Sequence, residues 1–133
     1  MIGDRFIDTT HWQSIAGYSR ASRIGQHIAV SGTTAELDSL PPESVRSTYA
    51  QTYNCISRGI AAVVELGGSV EGILRTRLFL VPEADPIEAS RAHAELLGQV
   101  APANTTLFIH SLIGNELLVE VEIEAFAMKE DES

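Results

Sequence analysis

The spacing of apolar residues changes period several times along the chain, and each change predicts an element. Val119, Val121, Ile123 and Ala125 alternate with Glu120, Glu122 and Glu124, a period of two that sends the sets to opposite faces of a strand. In a strand over 73–81, Leu74, Thr76, Leu78 and Leu80 likewise oppose Arg75 and Arg77. Two short runs, Tyr18 to Arg23 and His27 to Gly32, flank Ile24-Gly25-Gln26 and predict a hairpin. The period then becomes helical. After Pro41-Pro42, the residues Val45, Tyr49, Tyr53, Ile56, Ile60 and Val63 recur every three or four positions, and Gly67-Gly68 ends that helix. A second helix starts at Asp85-Pro86-Ile87-Glu88, where Asp caps, Pro suits the first turn and Glu follows three residues after the cap, and it ends near Gly98. Thr105 to Ile113 and Leu117 to Met128 read as strands joined around Gly114-Asn115, a closing hairpin.

Helices that follow strands in this way predict an α+β layer, with two helices covering one face of a sheet. The charged strand positions then share the helix-free face. Solvation is the plain reading of Glu120, Glu122 and Glu124. Arg75 and Arg77 open another, in which Arg and Glu pair across strands or across a subunit boundary.

With 133 residues, 44% of them hydrophobic, the chain suits one domain over 1–133, with a core over about 15–128 and a polar tail, 129–133, expected to fray. A net charge of −9 repels phosphate backbones and argues against a nucleic-acid partner. Cys55 is the sole cysteine, so an intrachain disulfide is excluded and the cytoplasm is the expected compartment. The start of the chain lacks the basic and apolar regions of a signal peptide, and no apolar run is long enough for a membrane span.

Candidate chemistry is sparse. His11, His27, His93 and His110 have neither mutual i, i+4 spacing nor a cysteine set, so no metal is assigned, and no cofactor motif is found. Gly67-Gly68 lacks the Lys-Ser/Thr ending of a phosphate loop, and Ser31 lies outside a Gly-x-Ser-x-Gly elbow. Cys55, within the first helix, reads as a small buried hydrophobe.

Taken in order, Gly17-Tyr18-Ser19-Arg20-Ala21, Ile28-Ala29-Val30-Ser31-Gly32, Leu66-Gly67-Gly68-Ser69, Arg75-Thr76-Arg77-Leu78-Phe79-Leu80, Pro102-Ala103 and Val121-Glu122-Ile123-Glu124-Ala125 resemble the successive signatures of the reactive intermediate deaminase (RidA/YjgF) family. The resemblance implies a chorismate-mutase-like subunit assembled as a homotrimer, with small-molecule clefts between subunits. In deaminating members such a cleft holds the imine of a short 2-oxo acid. An arginine after Pro-Ala clamps its carboxylate, a glutamate directs water and a tyrosine closes the pocket. Carried over, the tyrosine is Tyr18, the Ser-Gly pair is Ser31 and Gly32, and the glutamate is Glu122.

At the arginine position stands Asn104, and the family's frequent cysteine two residues later is Thr106. Asparagine donates hydrogen bonds without charge. Exchanging charge-assisted for neutral bonds forfeits on the order of 1–3 kcal/mol, about tenfold to a hundredfold in carboxylate binding. Arg20, two residues from Tyr18, either supplies a guanidinium from another wall of the cleft or pairs with a strand glutamate across a subunit boundary. Tyr18 is equally readable as an interface aromatic. Two functions stay open. One is a cofactor-free deaminase or hydrolase of an imine-like intermediate, with Glu122 and Tyr18 catalytic and Asn104, Thr106, Ser31, Gly32 and Arg20 binding. The other is a trimer that binds a small metabolite without turnover.

Overall fold

The computed structural model of the chain describes residues 3–8 and 11–128; the tail expected to fray lies outside the described residues. The strands are β1 (Asp4–Phe6), β2 (Ala21–Ile24), β3 (His27–Thr33), β4 (Ile73–Leu80), β5 (Ala103–Phe108) and β6 (Val119–Phe126), and the helices are α1 (His11–Ala16), α2 (Thr48–Glu65) and α3 (Pro86–Leu97). The strands form one sheet in the order β1-β2-β3-β6-β4-β5. All neighbours are antiparallel except β4 and β5. The expected α+β class, with α2 and α3 layered against the sheet, is therefore present. No helix among the described residues is long and apolar enough to cross a membrane.

Local chemistry explains both long helices. The Ser47 side chain accepts from the Ala50 amide and starts α2. At its other end Gly67 takes φ 88°, the left-handed conformation that glycine adopts without a Cβ clash, and Gly67 and Gly68 donate back to Val64 and Val63. Asp85 caps α3 by accepting from Ile87 and Glu88, with Pro86 in the first turn.

The buried stripe of α2 differs from the expected one. Thr48, Gln51, Thr52, Cys55, Ile56, Gly59, Ala62 and Val63 face the interior. Tyr53 is exposed, and Tyr49 turns to the α3 side, with its hydroxyl on Glu95 and Arg91 stacked over its ring. Small residues permit close helix-to-sheet packing, so the large aromatics are displaced to the rim. Across the interface lie Ile28 and Val30 of β3, Thr76, Leu78 and Leu80 of β4, and Val119, Val121, Ile123 and Ala125 of β6.

Two strand expectations also change. Leu74 does not share the inward face: it is the extra residue between the pairs Ile73↔Ala125 and Arg75↔Glu124, a bulge that leaves it 56% exposed. The closing hairpin is absent, because α3 returns the chain parallel to β4 and places β5 on the outer edge while β6 occupies the other side of β4. A single crossover helix suits a parallel pair. Residues 109–118 then form a long connection around the end of β4. β1 and α1 are additional elements with no counterpart in the sequence reading.

Gln51 holds this connection in place. Its Nε2 donates to the carbonyls of Val45 and Glu116 at 2.7 and 2.8 Å, and its Oε1 accepts from the Leu118 amide at 2.8 Å. The Gln51 side chain is fully buried, so its loss leaves three backbone groups without a protein partner. Gln51→Leu is expected to lower stability by about 2–4 kcal/mol in urea unfolding. A wild-type midpoint would show that the connection is held by other contacts.

Candidate functional site

One cleft brings together Tyr18, Arg20 and Gly32 of the expected site residues. It measures about 470 Å³ and is lined by Tyr18, Arg20, Gly32, Arg58 and Glu120, with Trp12, Leu112 and Ile113 among its apolar residues. The floor comes from β3, β6 and the segment before β2; α1 and the 109–118 connection supply the walls. A more open groove of about 820 Å³ runs beside the end of α3, but its ionisable lining residues are Glu71 and Glu95, with no cation among them.

The two arginines of the cleft differ in what they contact. Arg58 donates to the Thr34 carbonyl at 2.6 Å and pairs with Asp8 and Glu36 at 3.2 and 3.4 Å. Arg20 is only 4% exposed, and its Nη1 donates to Gly32 O and Thr33 Oγ1 at 3.1 and 3.3 Å. Its Nε is buried without a hydrogen-bond partner, although an unmet buried donor costs about 1–3 kcal/mol. The guanidinium carbon lies 5.9 Å from the centre of the Tyr18 ring, which places the two groups together as expected from their spacing.

Among the described residues Glu120 makes no ion pair. Burial raises its carboxyl above the ordinary glutamate value, the neighbouring Glu122 charge adds to the rise, and Arg20 opposes it. The carboxylate lies against Gly32, where a Cβ would stand 2.6 Å from Oε1. Gly32 thus provides the space that Glu120 occupies. Glu122 has a different setting, opposite Arg77 on the helix-free face with Nη1 at 3.5 Å, and both side chains are 42% exposed. On its other side the register jumps from Val30↔Ile123 to Thr33↔Val121, so Ser31 and Gly32 form a bulge beside Glu122. Ser31 Oγ donates to the Ser19 carbonyl at 2.7 Å, in a shallow depression shared with Tyr18. Glu124 is held by His27 at 2.9 Å.

Asn104 and Thr106 lie elsewhere in the subunit. Asn104 pairs with Thr76 and Thr106 with Leu78, which puts both on the helix side of the edge strand β5. Asn104 Nδ2 donates to Thr76 Oγ1 at 3.0 Å, and Thr106 Oγ1 donates to Asn104 Oδ1 at 2.9 Å. The Thr76 hydroxyl then has its own proton for His93 Nε2, 2.7 Å away. Burial lowers the His93 pKa, consistent with a neutral, accepting ring. Within one subunit Asn104 and Glu122 therefore occupy opposite sheet faces, separated by β4. Cys55 takes no part in either group, because burial pushes its thiol up to about 12.

The Endoribonuclease L-PSP family matches residues 9–129 of this chain. The chain belongs to that family. This L-PSP domain is 35% identical over 116 residues to an uncharacterized protein of Streptomyces coelicolor, covering 86% of this chain and 85% of that one. Its structure matches a member of the YjgF/YER057c/UK114 family from Mycobacterium tuberculosis with a TM-score of 0.81 and 28% identity, over 93% of this chain and 98% of that one. A YjgF family member from Neisseria meningitidis shares the fold alone, with a TM-score of 0.69 and 19% identity over 97% and 99% of the two chains. The RidA/YjgF membership implied by the motifs is thereby established, and the fold of the L-PSP domain with it.

The setting of Glu120 can be tested by titration. The folded pKa of Glu120 lies above its unfolded value, so the folded state binds more protons between the two values and stability falls as pH rises through that window. Glu120→Gln removes this penalty. Its urea midpoint at pH 7, at equal protein concentration, is expected to exceed that of the wild type, and the difference should vanish below about pH 4. A lower midpoint at pH 7 would mean that the carboxylate stabilises the fold.

Proposed function

We propose that this L-PSP family member is a cytoplasmic homotrimer that holds a small reactive, imine- or enamine-like metabolite in clefts between subunits, with 2-iminoacid deaminase activity altered or lost. Asn104 carries this reading. Its uncharged amide is already bonded to Thr76 and Thr106, so it offers a ligand carboxylate no guanidinium. The opposite placement of Asn104 and Glu122 supports a cleft completed by a second subunit, in which Asn104 and Thr106 of one copy face Tyr18, Ser31, Gly32 and Glu122 of the next. Glu122, paired with Arg77, would direct water there, and Tyr18 would close over the ligand.

Two measurements test this function. With 2-iminopropanoate and 2-iminobutanoate generated in place by an amino-acid oxidase, the wild type should hydrolyse weakly or not at all, and Asn104→Arg should raise the rate. Brisk wild-type turnover, or no response to the arginine, would defeat the role given to Asn104. Sedimentation equilibrium should return a trimer for both the wild type and Glu122→Gln, with any turnover falling in the variant because the amide cannot act as an anionic acceptor. A monomer mass would remove the intersubunit cleft. Loss of the trimer in the variant alone would make Glu122 structural.

A further inference from the structure

The cleft beside Tyr18 has a polar floor that the family's motif positions do not account for. Arg20 reaches it with a buried guanidinium whose Nε–H has no acceptor, and Glu120 reaches it with a half-buried carboxylate that has no cation within ion-pair distance among the described residues. A buried donor without an acceptor and a carboxylate without a cation share this lining, and together they select the charge of what can sit between them. A carboxylate ligand would bring a second negative charge against Glu120 in a chain of net charge −9. A cation would meet Arg20. A neutral group with its own acceptor and donor side by side satisfies both, and Trp12, Leu112 and Ile113, of which Trp12 and Ile113 are 50% and 83% exposed, give an apolar body somewhere to lie. The cleft volume of about 470 Å³ suits a small molecule.

We propose that Arg20 and Glu120 together bind a neutral amide-like head, a carboxamide or lactam whose carbonyl accepts from Arg20 and whose N–H donates to Glu120, carried on a small apolar body. This rests on reading the cleft as a ligand site, and it names the class of ligand. Glu120 thus becomes a binding residue, although its pattern in the sequence is shared with Glu122 and Glu124. The raised pKa of Glu120 agrees with this role, since a carboxylate held at a cost by burial is relieved by a ligand donor.

The test is calorimetric titration of the protein, in its native assembly, with benzamide, benzoate and benzamidine, which share a ring and differ in head charge. Benzamide should bind at least about tenfold more tightly than either ion. Glu120→Gln and Arg20→Lys should each weaken it by about tenfold, the loss of one charge-assisted or well-aimed bond. Glu124→Gln, which removes only the partner of His27, should leave it unchanged. Glu120→Gln is also expected to be the more stable protein at pH 7, so weaker binding in that variant cannot come from unfolding, and circular dichroism checks the fold of Arg20→Lys. Benzoate or benzamidine binding as tightly as benzamide, undiminished affinity in Glu120→Gln, or no saturable benzamide binding would each overturn the proposal. Trimer mass and imine hydrolysis are read on the same preparations. A trimer with the expected weak imine activity that refuses benzamide defeats this inference alone, whereas a benzamide-binding monomer defeats only the intersubunit reading.

Discussion

The pairing of β6 between β3 and β4 constrains everything else in the subunit. Both of its edges are hydrogen-bonded, so its two side-chain sets have no freedom to exchange faces. A slip of one residue would drive Glu120, Glu122 and Glu124 into the layer beneath α2 and expose Val119, Val121 and Ile123. The apolar set packs the helices down, and the same registration delivers the carboxylates in a row on the far side. Those carboxylates then diverge according to their neighbours on adjacent strands. Glu124 meets His27, Glu122 meets Arg77, and Glu120 lies against the bare backbone of Gly32 near Arg20. Three chemically identical side chains acquire three electrostatic settings from one register.

Much of this was legible in the chain because it is local. Alternation in β6, the capped start of α3 and the glycine stop of α2 each depend on residues within a few positions of one another, and each element formed. What failed was long-range or volumetric. A turn at Gly114-Asn115 suggested that neighbours in sequence pair in space, but the partner order of β4, β5 and β6 is set by α3 crossing over the sheet. In α2 the large side chains drew attention to Tyr49 and Tyr53, while the surface that packs joins the expected Ile56 and Val63 to small residues such as Thr52, Cys55, Gly59 and Ala62, which permit close approach. Leu74 matches its strand pattern and still points outward, because the bulge arises from pairing with β6.

The site divides along the same line. Motif positions located Tyr18, Arg20, Ser31 and Gly32 near one another, and the bulge at Ser31 and Gly32 brings Glu122 beside them. They also named Asn104 and Thr106, but sequence order carries no sign of which sheet face a residue on β5 will take. The motif singled out Glu122, but the setting of Glu120 was invisible, since it depends on a glycine from another strand and on a buried guanidinium whose hydrogen bonds are incompletely met.

Cys55 has a practical consequence beyond the site. Its sulfur is fully buried in α2, its proton is held up to about 12, and it is the only thiol in the sequence. A thiol reagent can reach it only when the helix lifts from the sheet or the whole chain opens. The rate of its modification under native conditions is therefore a clock for that opening, already present at the centre of the core and needing no introduced cysteine.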